Sequence, residues 1–168
     1  MVMNPRSPAQ LSTIGWREWV RLPELGIFAI KAKVDTGART SALHAIDMHY
    51  ERHRGAEVVR FKVHPLQRNA QFTIVAEAVV IEHRRVRSSG GHDTLRPVIV
   101  TPLELVGQRW EIELTLVSRD AMGFRMLLGR QALRGRVMVD PGHSFLSGRP
   151  ARDALRRAAG KRSQDPPA

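Results

Sequence analysis

Cysteine is absent from this sequence, which excludes disulfides and thiolate metal sites. Aromatic residues number only nine, with no run interleaved with basic side chains of the kind that stacks nucleic-acid bases. No stretch approaches the ~20 consecutive apolar residues of a membrane span. The opening MVMNPRSPAQLSTIGW also lacks the apolar core of a secretory leader. These absences lead us to expect a soluble, cytoplasmic protein with neither a membrane nor a nucleic-acid partner. Acidic residues are also few: 16 Asp and Glu stand against 27 Lys and Arg, a formal net charge of +11. From Arg149 onward six basic residues face two acidic ones, a net of +4, and the remaining +7 is spread over the rest of the chain. A field of that sign favours acidic partners.

What is present suits one domain of 168 residues, with ordinary hydrophobic (42%) and charged (26%) fractions. Residues 1–12 read as a flexible N-terminus, 13–148 as the folded domain and 149–168 as a flexible basic tail, with a short basic helix over 151–159. Between the ends the pattern is β. Strands are expected at Trp16–Val20, Ile27–Val34, Ala42–Met48, Val58–His64, Phe72–Ile81, Val98–Val100, Trp110–Val117 and Val137–Val139. In Glu111-Ile112-Glu113-Leu114-Thr115-Leu116 polar and apolar residues alternate strictly, as in a strand with one buried face. The one helix expected in the body is Arg130–Arg134. Many short strands with frequent turn signals imply an all-β barrel or sandwich.

Three segments carry candidate chemistry. The first is Val34-Asp35-Thr36-Gly37-Ala38, a strand that runs into a carboxylate, a small hydroxyl residue and a glycine. An Asp at the end of a buried strand is costly unless it is hydrogen-bonded or shares a proton with a neighbour. Alone, Asp-Thr-Gly arises by chance in on the order of a few per cent of chains this long, and then marks only a turn. The second segment, residues 84–92, is a glycine-tipped hairpin whose tip is Ser88-Ser89-Gly90-Gly91-His92. The third is Met126-Leu127-Leu128-Gly129-Arg130-Gln131-Ala132-Leu133, an apolar strand that ends in Gly-Arg and a helical turn.

In that order the three segments resemble the retropepsins, one-domain aspartic proteases, over roughly residues 27–140. The runs VDTGARTSALHA, HPLQ, SSGG and GFRMLLGRQALRGR look like a bacterial retropepsin-like family. Its members are often labelled ATP-dependent zinc proteases and are associated with glutamate ligases of the RimK type. The resemblance implies a retropepsin-like acid protease barrel with a single short helix after the Leu-Gly-Arg step. It implies that Asp35 is the catalytic Asp, and that Thr36 and Gly37 hold the active-site loop. Residues 84–95 look like the flap, with Ser88, Ser89, Gly90, Gly91 and His92 over the substrate beside Ala38 and Arg39. Leu128, Gly129 and Arg130 look like the supporting step beneath the site.

The zinc and ATP labels each predict a visible motif. His-Glu-x-x-His is absent, and His49 and His53, four apart, fall in a segment that reads as a polar turn. Gly-x-x-x-x-Gly-Lys-Ser/Thr is also absent. The expectation is no metal and no cofactor.

Aspartic proteolysis needs two carboxylates that share a proton, one to activate water and one to protonate the carbonyl oxygen. A single Asp-Thr-Gly therefore implies a homodimer with Asp35 contributed by each copy. The substrate would be a peptide or protein, acidic or glutamate-extended. Arg39 departs from the viral relatives, which commonly place there an acid suited to pairing with the Arg of the Gly-Arg step. Arg130 must then find another partner, with Asp47 and Asp140 as candidate carboxylates, or one of the two arginines faces the cleft. The competing reading is a non-catalytic module of the same fold that binds acidic partners.

Overall fold

The structure is a computed structural model, and it describes residues 10–67, 71–88, 90–118, 123–151 and 155. Most of both expected flexible ends, most of the expected tail helix, and Ser89 lie outside the described residues. In chain order the strands are β1 (Ser12–Gly15), β2 (Arg17–Leu22), β3 (Ile27–Asp35), β4 (Ser41–His44), β5 (Ile46–His53) and β6 (Ala56–Val63). There follow β7 (Ile74–Val79), β8 (Glu82–Arg87), β9 (Asp93–Leu105), β10 (Gln108–Val117), β11 (Met126–Gly129), helix α1 (Arg130–Leu133) and β12 (Val137–Asp140). The all-β expectation, with one short helix after the Leu-Gly-Arg step, matches this architecture.

Seven strands form one sheet in the order β10-β4-β11-β3-β2-β9-β8, and a further β10–β9 pairing closes it on itself. Closure gives β10 partners on both sides, while β8 pairs with β9 alone among the described residues. The inner face of the sheet carries Val34, Leu43, Leu114, Leu116, Ile99 and Leu128, all in the main apolar core. The alternation expected around Glu111–Leu116 is visible here: Ile112 and Leu114 are buried while Glu111 and Glu113 are exposed. A separate three-stranded sheet, β5-β6-β7, contributes Val59, Phe61, Val63 and Ala76 to the same core.

Three expectations need correcting. Residues 50–53 are not a turn; they continue β5, and only Arg54 and Gly55, both at positive φ, make the reversal to β6. Val98–Val100 is only the middle of a 13-residue strand that contains Pro97 and Pro102. Proline lowers the sequence signal for a strand, yet it is tolerated where its missing N–H is not needed by the ladder. Ser12–Gly15, within and just after the expected flexible N-terminus, forms β1 and pairs in parallel with β12. A pairing between residues so far apart in sequence leaves no local signature.

A buried carboxylate fastens the end of the described chain to β2. Glu18 is fully buried; its Oε1 accepts from the N–H groups of Gly15 (2.7 Å) and Leu146 (2.8 Å). Its Oε2 accepts from the N–H (3.2 Å) and the hydroxyl (2.5 Å) of Ser147. The Trp16 N–H donates to the His143 carbonyl and the Phe145 N–H to the Arg17 carbonyl, both at 2.9 Å. Residues 143–147 are thereby tied to the start of β2.

Candidate active site

β3 places Asp35 at its last position, opposite Gly129 at the end of the parallel strand β11. Asp35 is half-buried. Its Oδ1 accepts from the N–H groups of Gly37 (3.0 Å) and Ala38 (3.1 Å), so two amides of the following loop fix the carboxylate. Among the described residues Oδ2 meets no protein donor. Space at Gly37 is tight: a Cβ there would lie 3.2 Å from Asp35 Oδ1, so a larger residue would press on the carboxylate.

The loop 36–40 is held from beneath by the step after β11. Arg130 and Gln131 donate their N–H groups to the carbonyls of Ala38 (2.8 Å) and Arg39 (3.1 Å). The Gly129 N–H donates to Ser41 Oγ at 3.0 Å, and Thr115 Oγ1 donates to the Ser41 carbonyl at 2.9 Å. A side chain on Gly129 would meet the Thr40 carbonyl at about 2.6 Å, so only glycine permits this approach. Leu128 is buried under the site within the main core. Asp35, Thr36, Gly37, Ala38, Leu128, Gly129 and Arg130 thus come together as one unit.

Arg130 solves its missing ion pair without a carboxylate. One guanidinium nitrogen donates to the carbonyl oxygens of Thr36 (3.0 Å) and Gly37 (3.1 Å). The two candidate acids are engaged elsewhere: Asp47 with Lys62 at 2.9 Å, Asp140 with His143 at 2.7 Å and with the Gly142 N–H at 2.8 Å. The hydrogen bond from Lys62 holds the Asp47 carboxyl below its ordinary range, and the Gly142 amide, with His143, does the same for Asp140. Peptide carbonyls satisfy Arg130 because the loop turns its oxygens toward α1. Arg39 is exposed.

β8 and β9 form the expected hairpin, paired from Glu82↔Val98 to Arg87↔Asp93. At its tip the Ser88 N–H donates to the His92 carbonyl and the Gly91 N–H to the Ser88 carbonyl, each at 2.9 Å. Gly91 has φ +81°, the left-handed conformation such a turn requires. Gly90, Gly91 and His92 are exposed, and Ser88 is half-buried. Among the described residues no hydrogen bond or ion pair joins this tip to Asp35. Sequence reasoning passed over Ser41 and Thr115, which act through cross-strand contacts that no local motif signals.

His49 and His53 lie four residues apart on β5, roughly 13 Å along a strand, too far to share one ion. Among the described residues no three His, Cys, Asp or Glu side chains group as metal ligands. Nor is any helix long and apolar enough to cross a membrane.

Residues 13–150 match the model of a family described as RimB-like, retropepsin-like aspartic endopeptidase RimB. Curated relatives carry another name. A "probable alpha-L-glutamate ligase" of Shewanella pealeana is 44% identical over 135 residues, covering 80% of this chain and 30% of that protein. Its namesake in Desulfotalea psychrophila is 46% identical over 145 residues, covering 86% and 31%. The chain thus spans less than a third of the length of these relatives. A Legionella pneumophila protein of unknown function (DUF785) has a similar solved structure, with TM-score 0.65 and 25% identity, covering 81% of this chain and 98% of that one.

Proposed function

This chain belongs to the RimB-like family of retropepsin-like proteins, and from that premise we propose that it is an aspartic endopeptidase with Asp35 as its catalytic carboxylate. The observation that carries the reading is the asymmetry of that carboxylate. Oδ1 is fixed by two loop amides, while Oδ2 is left for a water or a second carboxylate. Thr36 and Gly37 shape the loop, and Ala38 and Arg39 line the substrate path. The hairpin tip, Ser88, Ser89, Gly90, Gly91 and His92, closes over bound peptide.

The dyad is completed by Asp35 of a second copy. Asp140, the other acid followed by a turn, is occupied by His143 and lies on β12, which pairs only with β1 among the described residues. With one carboxylate ionised and one protonated, the first draws a proton from water as the water attacks the peptide carbon. The second gives its proton to the carbonyl oxygen, and the tetrahedral intermediate then collapses with proton transfer to the leaving amine. We take 13–148 as the unit that performs this, in the cytoplasm. The substrate class is an acidic or glutamate-extended protein, supported by the net charge of +11 and by relatives named as glutamate ligases.

Asp35→Asn is the test. Cleavage of a glutamate-tailed peptide should vanish while the circular dichroism spectrum and thermal midpoint stay near those of the parent. Undiminished cleavage would refute the assignment, and unchanged function without cleavage would favour an acidic-partner binding module. A strictly monomeric preparation that retained full activity would remove the shared dyad.

A further inference from the structure

The outer face of β2 gathers positive charge around aromatic rings. Glu18, Val20 and Leu22 point into the protein and are buried, so Arg17, Trp19 and Arg21 point outward. In the register with β3, Trp19 stands opposite Lys31 and Arg17 opposite Lys33. The bonds that tie residues 143–147 to the start of β2 bring Phe145 to this face, its ring centroid 6.3 Å from that of Trp19.

Three cations converge on the Phe145 ring: Arg17 at 5.0 Å, Arg149 at 5.4 Å and Lys31 at 5.8 Å from its centroid. Arg17 also lies 4.6 Å from the Trp16 ring, and Lys31 5.1 Å from the Trp19 ring. Among the described residues no carboxylate pairs with Arg17, Lys31, Lys33 or Arg149. The Arg17 Nε donates to a neutral partner, Ser144 Oγ, at 3.1 Å. One cation would hold Phe145 through its ring face. Each further one adds repulsion, as does the placing of Arg17 directly opposite Lys33. Phe145 itself has φ +57°, a backbone conformation unfavourable for a bulky side chain. A face that only clasped the chain would need neither feature. An anion laid among the cations relieves the repulsion.

The rings choose between anions. Trp16, Trp19 and Phe145 are half-buried, so part of each ring meets solvent. Beside Trp19 lies an open hollow of about 370 Å³, also lined by Arg21, Phe28 and Arg149, a size that suits a small planar group. Its acid, Glu104, is taken by Arg21 at 3.4 Å and Arg109 at 3.6 Å. A nucleobase stacks on aromatic faces, and the phosphates that link one base to the next suit the cations. A carboxylate side chain brings the charge without the flat ring. Arg149 also opens the stretch in which six basic residues face two acidic ones, so positive charge continues along the chain from this face. That continuity fits a long polyanion better than a single small one.

We infer that this face binds single-stranded nucleic acid, with phosphates on Arg17, Lys31 and Arg149 and bases against Trp19 and Phe145. A duplex hides its base faces within its own stack, so the single strand is the form these rings can take. The site is separate from the Asp35 carboxylate and does not rest on the proteolytic reading.

The test measures binding of labelled oligothymidylate and oligouridylate, each of about twelve nucleotides, to the full chain by fluorescence anisotropy over a salt series. Arg17→Gln, Lys31→Gln and Arg149→Gln should each weaken binding and flatten the slope of log affinity against log salt by about 0.7. Trp19→Leu should weaken it about tenfold, and Trp19→Phe, which keeps a ring, about threefold or less. Arg60→Gln, an exposed arginine on β6, is the control for net charge and should change neither affinity nor slope. Thermal midpoints check the folding of each variant, and if Trp19→Leu does not fold, the charge variants decide. Binding of one oligonucleotide alone supports the inference and identifies the sugar. Binding of neither overturns it, and so do parental affinity and slope in all three charge variants. An oligoglutamate of equal charge that displaced the strand equally well would make this an acidic-peptide site and overturn it too. Equal affinity for a duplex of the same length would remove the role of the rings. Asp35→Asn should bind as the parent does, so loss of the proteolytic reading would leave this result standing.

Discussion

The Arg130 guanidinium donates to the carbonyl oxygen of Thr36 at 3.0 Å, so a cation on α1 restrains the backbone of the loop that carries Asp35. The same nitrogen also holds the Gly37 carbonyl. The loop is thus gripped through its peptide groups rather than through an acidic side chain. This explains how Arg39 is accommodated where an acid would otherwise serve: the structure needs no anion at that position.

Arg130→Met removes both bonds. Because Arg130 is exposed, the loss of stability should be modest, about 1 kcal/mol. The effect on catalysis should be larger, tenfold or more in kcat, since the loop that positions Asp35 loses a restraint. Urea unfolding together with peptide cleavage separates the two effects. Full kcat in the Met variant would show that the other loop contacts suffice.

Glu18→Gln exchanges an acceptor oxygen for an amide that donates, facing the N–H groups of Gly15, Leu146 and Ser147. At a fully buried position this should cost roughly 2–4 kcal/mol. Amide exchange at residues 143–147 should accelerate before the rest of the fold is affected. Parental exchange rates there would contradict the clasp.

Thr101 offers the opposite case. It is buried, and its hydroxyl is the one buried side-chain polar atom without a partner among the described residues. Thr101→Val keeps the β-branched shape and removes the unpaired group, so stability should rise by about 1 kcal/mol. That corresponds to a gain of roughly 2–4 °C in thermal midpoint for a domain of this size. A lower midpoint would mean that the hydroxyl is satisfied in solution.

Much of the fold was legible because its strands carry their signal locally. Glu111–Leu116 alternates, Ile27–Val34 is apolar and bounded by turns, and Met126–Leu128 is an apolar run stopped by Gly-Arg. β9 was cut short by its prolines, and the end of β5 was hidden by polar residues on a largely exposed strand. Asp35 with its loop, the hairpin and the Gly129-Arg130 step were recognisable as segments. Their assembly was not, because Ser41 and Thr115 act on the loop from strands that meet only in the sheet.

The sequence by itself determined the all-β class, the short helix after the Gly-Arg step and the position of Asp35 at a strand end. These follow from periodicity and from the order Asp-Thr-Gly and Leu-Gly-Arg at strand ends, which are properties of neighbouring residues. Only the tertiary structure decided that Arg130 is satisfied by peptide carbonyls, that Glu18 fastens residues 146 and 147, and that Ser41 and Thr115 brace the Asp35 loop. Each depends on strand register, which couples residues tens of positions apart, and no local pattern records it.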